Sequence, residues 1–318
     1  MSLTTTNPVP VDRERSAQPP GQRQLALVEP PNFLMPHTFA RRLVLLTFIV
    51  GSAWVGAAPR NEFFAMDTIA RGEPADVAAM LKELGYDGLG GRAYDETMLP
   101  ALTARGLKFF NGYFVLNLKP ADQVPDEKLE RWFAAMANRN VFLWLAIRSV
   151  QRVDGTAYPI SDDTADAFVV ERLRGLAKSA ARQGVKISLY PHTGSWLARV
   201  EDALRLAGKI DRADVSVTFN LCHWLKVEGA ERDPFPVLKM ALPRLTFVTI
   251  NGADEGDTRT LPWPRVIQPM DSGTYDLRAF VGRLQALGYT GPIGFQGYGI
   301  KGDSREILAR SLKAWKSW

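Results

Sequence analysis

The chain has 318 residues, of which 46% are hydrophobic and 23% charged, proportions that fit a folded globular protein and exclude disorder over most of the length. The formal charge is +5, but residues 1–57 hold five arginines against three acids and the remainder carries only +3, too weak a balance to mark a nucleic-acid surface. The single cysteine, Cys222, excludes both an internal disulfide framework and a thiolate metal cluster.

Residues 1–34 are rich in Pro, Gln, Thr and Arg and show no apolar period, so they bury too little surface to offset the entropy of ordering them. They read as a disordered extension or, if Met35 is the true start, as a misassigned upstream stretch. Arg41 and Arg42 then precede an apolar run at 43–55 that ends in Val55-Gly56-Ala57. A basic segment, a short apolar core and small residues before a cut describe a signal peptide over 35–57. Thirteen apolar residues are short for a permanent span, although an uncleaved anchor is the competing reading. Cleavage after Ala57 predicts a periplasmic or secreted protein, free of the membrane once cut.

From 58 to 318, short apolar runs alternate with amphipathic stretches, which is βα repetition. Strands are expected at 63–66, 88–90, 107–111, 141–147, 185–189, 215–219, 245–250 and 292–295. Helices are expected at 74–84, 164–183 and 277–287, each followed by a glycine stop at Gly85, Gly184 or Gly288. Pro74 and Asp276 occupy first-turn and N-cap positions. Eight such units in one domain predict a (β/α)₈ TIM barrel. An open doubly wound sheet is the alternative, but the Gly-rich phosphate loop it normally carries after its first strand is missing.

In a barrel the chemistry stands just past the strand ends. There the sequence reads Asn111-Gly112-Tyr113, then Trp144 with Arg148, Tyr190-Pro191-His192, Asn220-Leu221-Cys222-His223-Trp224, Asn251-Gly252-Ala253-Asp254 and Gln296-Gly297-Tyr298. The set is polar, aromatic and largely uncharged. Amides and rings of this kind suit a hydroxyl-rich small molecule, a carbohydrate, whose hydroxyls need donors and acceptors and whose C–H faces stack on aromatics.

Gly-Tyr-Asp-Gly at 85–88, Leu-Tyr-Pro-His at 189–192, Asn-Leu-Cys-His at 220–223, Asn-Gly-Ala-Asp at 251–254 and Gly-Tyr-Thr-Gly-Pro-Ile-Gly-Phe-Gln at 288–296 together resemble the xylose isomerase-like TIM-barrel superfamily, which includes sugar-phosphate isomerases and epimerases. The resemblance covers nearly all of 61–318. It implies one divalent metal held by Glu, Asp, His and Glu from strands five to eight, and here those positions are Tyr190, Asn220, Asn251 and Gln296. A hard divalent cation gives up hydration water chiefly to carboxylates, so no tightly held cofactor is expected, with weak divalent binding left open. The family's Asp-x-x-His element becomes Asn220-x-x-His223.

His192 and His223 are the histidines left after cleavage, and imidazole suits proton transfer near neutral pH. They are the expected catalytic residues, against the alternative of two structural loop histidines, and His223→Ala is expected to remove activity with the fold intact. Tyr190, Asn220, Asn251, Gln296, Trp224, Asn111, Trp144 and Tyr298 are the expected substrate contacts, with the three amides on strands six to eight as neutral stabilisers of an enediolate oxygen. For Asp254 a loop cap is favoured over an acid/base role, and Trp263 and Gln268 either close over ligand or pack their own loop. Trp196 either stacks on sugar or fills the core, Cys222 reads as a small buried residue, and Arg148 and Lys226 either bind phosphate or carboxylate or are solvated rim charge. Two functions remain at this level: an isomerase, epimerase or lyase on a sugar or keto-sugar, and a catalytically silent saccharide-binding barrel. An endonuclease of the same fold requires a His-rich multi-metal centre and a basic groove, which two histidines and +3 do not supply. Oligomeric state is not readable.

Overall fold

The eight apolar runs form eight parallel strands: β1 (Phe63–Met66), β2 (Gly88–Arg92), β3 (Lys108–Leu118), β4 (Phe142–Val150), β5 (Lys186–Leu189), β6 (Val215–Asn220), β7 (Leu245–Ile250) and β8 (Ile293–Phe295). Each pairs with the next and β8 pairs with β1, closing a barrel. The structure, a computed structural model, describes residues 61–93, 96–122 and 124–318; the expected extension at 1–34 and signal peptide at 35–57 lie outside the described residues. The helices are α1 (Pro74–Leu84), α2 (Met98–Thr103), α3 (Glu127–Ala135), α4 (Asp166–Arg182), α5 (Val200–Ile210), α6 (Leu221–Glu228), α7 (Phe235–Ala241), α8 (Trp263–Val266), α9 (Leu277–Ala286) and α10 (Ser304–Lys316).

Because strand side chains alternate between faces, the buried apolar residues fall into two sets. Phe64, Met66, Phe110, Trp144, Tyr190 and Phe247 fill the barrel. Phe63, Ala65, Leu143, Leu145, Ile187 and Leu189 face the helices. The Phe64 ring fits inside because β8 contributes Gly294, where a Cβ would stand 2.5 Å from that ring. The expected end signals also operate. Gly85 ends α1 in the left-handed region with φ of 93°, and the Asp276 carboxylate accepts the Ala279 N–H at 2.9 Å to cap α9.

Strands β3 and β4 run further than expected, to Leu118 and Val150, and pair along that length. The sequence placed Gly112 just past the end of the third strand. It lies instead mid-strand, where a Cβ would come within 2.3 Å of the Trp132 ring on α3, so it marks a close helix approach rather than a break. At the other side β6 passes into α6 without an intervening residue, and Asn220 is both the last strand residue and the helix N-cap. That junction carries His223 into the first helical turn.

Candidate active site

At the C-terminal ends of the strands lies a cavity of about 650 Å³. Its floor is Tyr190 with Met66, and one wall is formed by His192 and His223. Gln296 and Tyr298 come from the end of β8, Trp263 and Ile267 from the long segment after β7, and Tyr113, Val115 and Arg148 from the extended ends of β3 and β4.

The two imidazoles touch. Their ring centroids are 3.9 Å apart, and His223 also meets Tyr190 edge-on at 5.7 Å and Trp263 at 6.0 Å. His192 is half-buried and His223 buried. Burial lowers the pKa of His192, with the Arg148 charge adding to the effect, and burial followed by the neighbouring His192 holds His223 well below the usual imidazole value. Both rings are therefore neutral near pH 7, and His192, the less buried, takes the first proton.

Thr193 sets how each ring is oriented. Its carbonyl accepts from His192 Nδ1 at 2.8 Å, and a carbonyl can only accept, which assigns the proton to Nδ1 and leaves the Nε2 lone pair free. The Thr193 hydroxyl donates to the His223 carbonyl at 3.4 Å and lies 3.3 Å from His223 Nδ1, which favours the same tautomer there.

Tyr190 is buried beneath the imidazoles, and burial keeps its phenol far above the ordinary range, with Cys222 and Tyr113 acting in the same direction against hydrogen bonds from Gln296 and Asn220. Asn220 Nδ2 donates to the phenol oxygen, while Asn220 Oδ1 accepts the Cys222 thiol at 2.9 Å and the His223 N–H at 3.3 Å. Gln296 Oε1 accepts the Thr68 hydroxyl at 2.7 Å and the Tyr298 N–H at 3.2 Å. Asn251 Nδ2 donates to the carbonyls of Gly252 and Val266 at 2.8 and 2.7 Å.

These bonds answer whether the family's metal fits. The four equivalent positions offer no carboxylate, the phenol stays protonated, and the amide oxygens of Asn220 and Gln296 are already accepting. Of the four, only Asn251 has a buried oxygen, Oδ1, without a partner. One neutral oxygen does not replace the hydration of a divalent cation, and among the described residues no three His, Cys, Asp or Glu side chains cluster as a metal site. The residues present do not fit the metal.

Of the expected substrate contacts, Tyr190, Gln296 and Tyr298 line the cavity, and Asn220, Asn251, Asn111, Trp144 and Trp224 do not. Asn220 and Asn251 spend their amides as described. Asn111 is fully buried inside the barrel on β3. Trp144 is fully buried too, stacked beneath Tyr190 at 5.2 Å, so it supports the floor instead of meeting a ligand. Trp224 turns outward, where its indole N–H donates to the Arg232 carbonyl at 3.3 Å. Nor is His223 a loop residue: it is buried in α6, and truncating it carries a folding cost that the loop reading missed.

The remaining singled-out residues separate cleanly. Trp263 and Cys222 line the cavity. Lys226 bonds the Arg259 and Leu261 carbonyls at 2.7 and 2.8 Å and lies 5.4 Å from the Trp263 ring, pinning that segment. Asp254 pairs with Arg265, Gln268 donates to the Arg265 carbonyl at 3.0 Å, and Trp196 is buried. Sequence reasoning missed Asp67, Thr68, Arg71 and Arg92 in the lining. Asp67, Thr68 and Arg92 stand at the ends of β1 and β2, and the strand-end rule would have found them had those ends been read; Arg71 carries no sequence signal.

The sequence matches the Xylose isomerase-like TIM barrel family over residues 78–318. No curated protein matches the chain. Among solved structures, 3-keto-D-glucoside 4-epimerase from E. coli shares 20% identity with a TM-score of 0.61, covering 81% of this chain and all (100%) of that one. D-allulose 3-epimerase from Methylomonas sp. shares 16% identity with a TM-score of 0.59 over 81% of this chain and 97% of its own. The probable 3-DHS dehydratase from Bacillus anthracis shares 13% with a TM-score of 0.64 over 80% and 98%. At these identities the likeness establishes the fold, and with the family match over most of the barrel it shows that the chain belongs to the xylose isomerase-like TIM barrel family.

Proposed function

We propose that the cavity catalyses proton transfer beside the carbonyl of a sugar or keto-sugar, with His192 as base and without the divalent metal. The observation that carries this reading is the contact pair of neutral imidazoles on one wall of the cavity, each with Nδ1 turned to Thr193. His192 Nε2 takes the proton from the carbon next to the carbonyl. The Tyr113 hydroxyl, whose pKa is pushed up to about 12 chiefly by burial and is drawn down by Arg148, lines the same cavity and donates to the developing enediolate oxygen; such a preorganised donor is worth about 3–4 kcal/mol. Asn220 and Asn251 do not serve as those donors, since their amide N–H groups are engaged.

Both imidazoles stand on one side of the ligand space. That favours return of the proton to the same face, as in aldose–ketose isomerisation or a same-face elimination, over an epimerisation needing acid and base on opposite faces. The solved relatives, two sugar epimerases and a probable dehydratase by name, support carbonyl chemistry on hydroxylated carbon chains. Export through the 35–57 segment belongs to this proposal and rests on the sequence alone; a secreted chain beginning at Ala58 is the expected outcome of N-terminal sequencing.

The test pairs calorimetric binding of a panel of ketoses and keto-sugars with carbon-bound proton exchange in deuterium oxide. Exchange that disappears in His192→Gln supports the enzyme. Binding without any exchange sinks it and leaves the saccharide-binding barrel.

A further inference from the structure

We infer that the cavity takes an anionic substrate, a polyhydroxylated compound whose carboxylate or phosphate group binds the Arg148 guanidinium. The inference deepens the proposed reading and rests on it for the hydroxylated carbonyl chain.

Three guanidiniums, Arg71, Arg92 and Arg148, line the cavity against one carboxylate, Asp67. Their situations differ. Arg92 Nε lies 3.3 Å from Asp67 Oδ2 and is compensated. Arg71 folds back on the Thr68 carbonyl, with Nε at 2.8 Å and Nη2 at 2.6 Å. Arg148 follows Trp144 and Ala146 at the two-residue interval that faces the barrel interior, and its charge reaches Tyr113 and His192. It lines the same cavity as the two groups that handle the reacting carbon.

A fixed cation at that place opposes the proposed chemistry if the ligand is neutral. Taking a proton turns His192 into an imidazolium in the same partly desolvated cavity as the Arg148 charge, a like-charge arrangement. An oxyanion seated on Arg148 cancels the opposing charge and fixes the ligand's register against His192 Nε2, and a guanidinium recognises carboxylate or phosphate in a bidentate manner. The cation is thus useful to the base only when the substrate brings an anion.

The only histidines in the chain are His37, His192 and His223, so the imidazole C2 protons give a resolvable NMR readout, assigned with His192→Gln and His223→Gln. At fixed pH and at chloride-balanced ionic strength, D-glucuronate, D-glucose 6-phosphate and D-glucose are titrated into the wild type, Arg148→Gln and Arg148→Lys. The expected result is a half-saturation at least tenfold lower for one or both anions than for D-glucose. That preference is lost in R148Q and partly restored in R148K; the arm that binds tells carboxylate from phosphate. Arg148 is exposed, and an unchanged melting temperature of R148Q confirms an intact fold. Equal half-saturation for all three compounds, no shift with either anion, or a preference that survives R148Q overturns the inference. Exchange of carbon-bound protons on neutral D-fructose, lost in His192→Gln, would in that event show the proton-transfer reading standing without it.

Discussion

The barrel carries a cavity at each end, and the two are nearly equal in size: about 650 Å³ at the C-terminal ends of the strands and about 670 Å³ at the N-terminal ends. Their linings differ in kind. At the N-terminal end Glu62 pairs with Lys108, the Thr246 hydroxyl is bonded to Ser188 at 2.9 Å and Ser216 at 2.8 Å, and the rest is largely Phe109, Phe110, Phe142 and Phe247. The Glu62, Lys108 and Thr246 side chains there satisfy their charge or hydroxyl within the protein. At the C-terminal end two imidazoles keep Nε2 lone pairs, the Arg148 guanidinium lines the same cavity, and aromatic rings flank the opening. Volume does not distinguish a site from a packing recess here; unmatched chemistry does.

That contrast predicts where substitutions act. The largest effect belongs to His192→Gln, which lowers exchange or turnover about 10²–10⁴-fold while the melting temperature holds, as read by deuterium wash-in beside calorimetry. At the opposite end, Phe247→Ala removes a ring packed edge-on at 5.1 Å to Trp144 and 6.1 Å to Phe64 and costs about 3–5 kcal/mol in urea unfolding. Tyr190→Phe leaves the Asn220 amide hydrogen without its acceptor and costs about 1–3 kcal/mol, together with a weaker ligand affinity. Lys108→Ala cuts an exposed ion pair and a long 6.0 Å contact with the Phe110 ring and changes stability by less than about 1 kcal/mol, with exchange unaltered; a loss of activity there would erase the distinction between the two ends.

Acidification sharpens the contrast further. In the unfolded chain an imidazole titrates near its usual value of about 6.5, whereas folded His192 and His223 titrate lower. The unfolded state therefore binds protons first, and stability falls as pH drops below about 6.5. Replacing both histidines with glutamine flattens that limb of the stability profile. Activity, which needs the free base of His192, persists below 6.5 and is lost only as the pH passes the depressed value.

The fold was legible because eight apolar runs, glycine stops and caps repeat along the chain, and the closed barrel follows from that count. The site was legible only in part. Strand-end reading led to five residues that line the cavity, His192, His223, Tyr190, Gln296 and Tyr298, but sequence position does not report what a side chain is already bonded to. Asn220 looked like a substrate contact and is a helix cap bound to a phenol. Trp144 looked like a sugar platform and is the support under Tyr190. Gly112 looked like a strand end because the ring that needs its missing Cβ, Trp132, lies twenty residues on in α3. Arg71 was invisible because it reaches the rim from beyond the end of β1, where no motif marks it.

The central claim is that uncharged groups, most of them already engaged in hydrogen bonds, occupy the positions that the resemblance matches to a metal site. Equilibrium dialysis of the purified protein against manganese tests it most directly. The expected result is substoichiometric retention, unchanged by Asn251→Ala; one tightly held manganese per chain, lost on that substitution, would contradict the account.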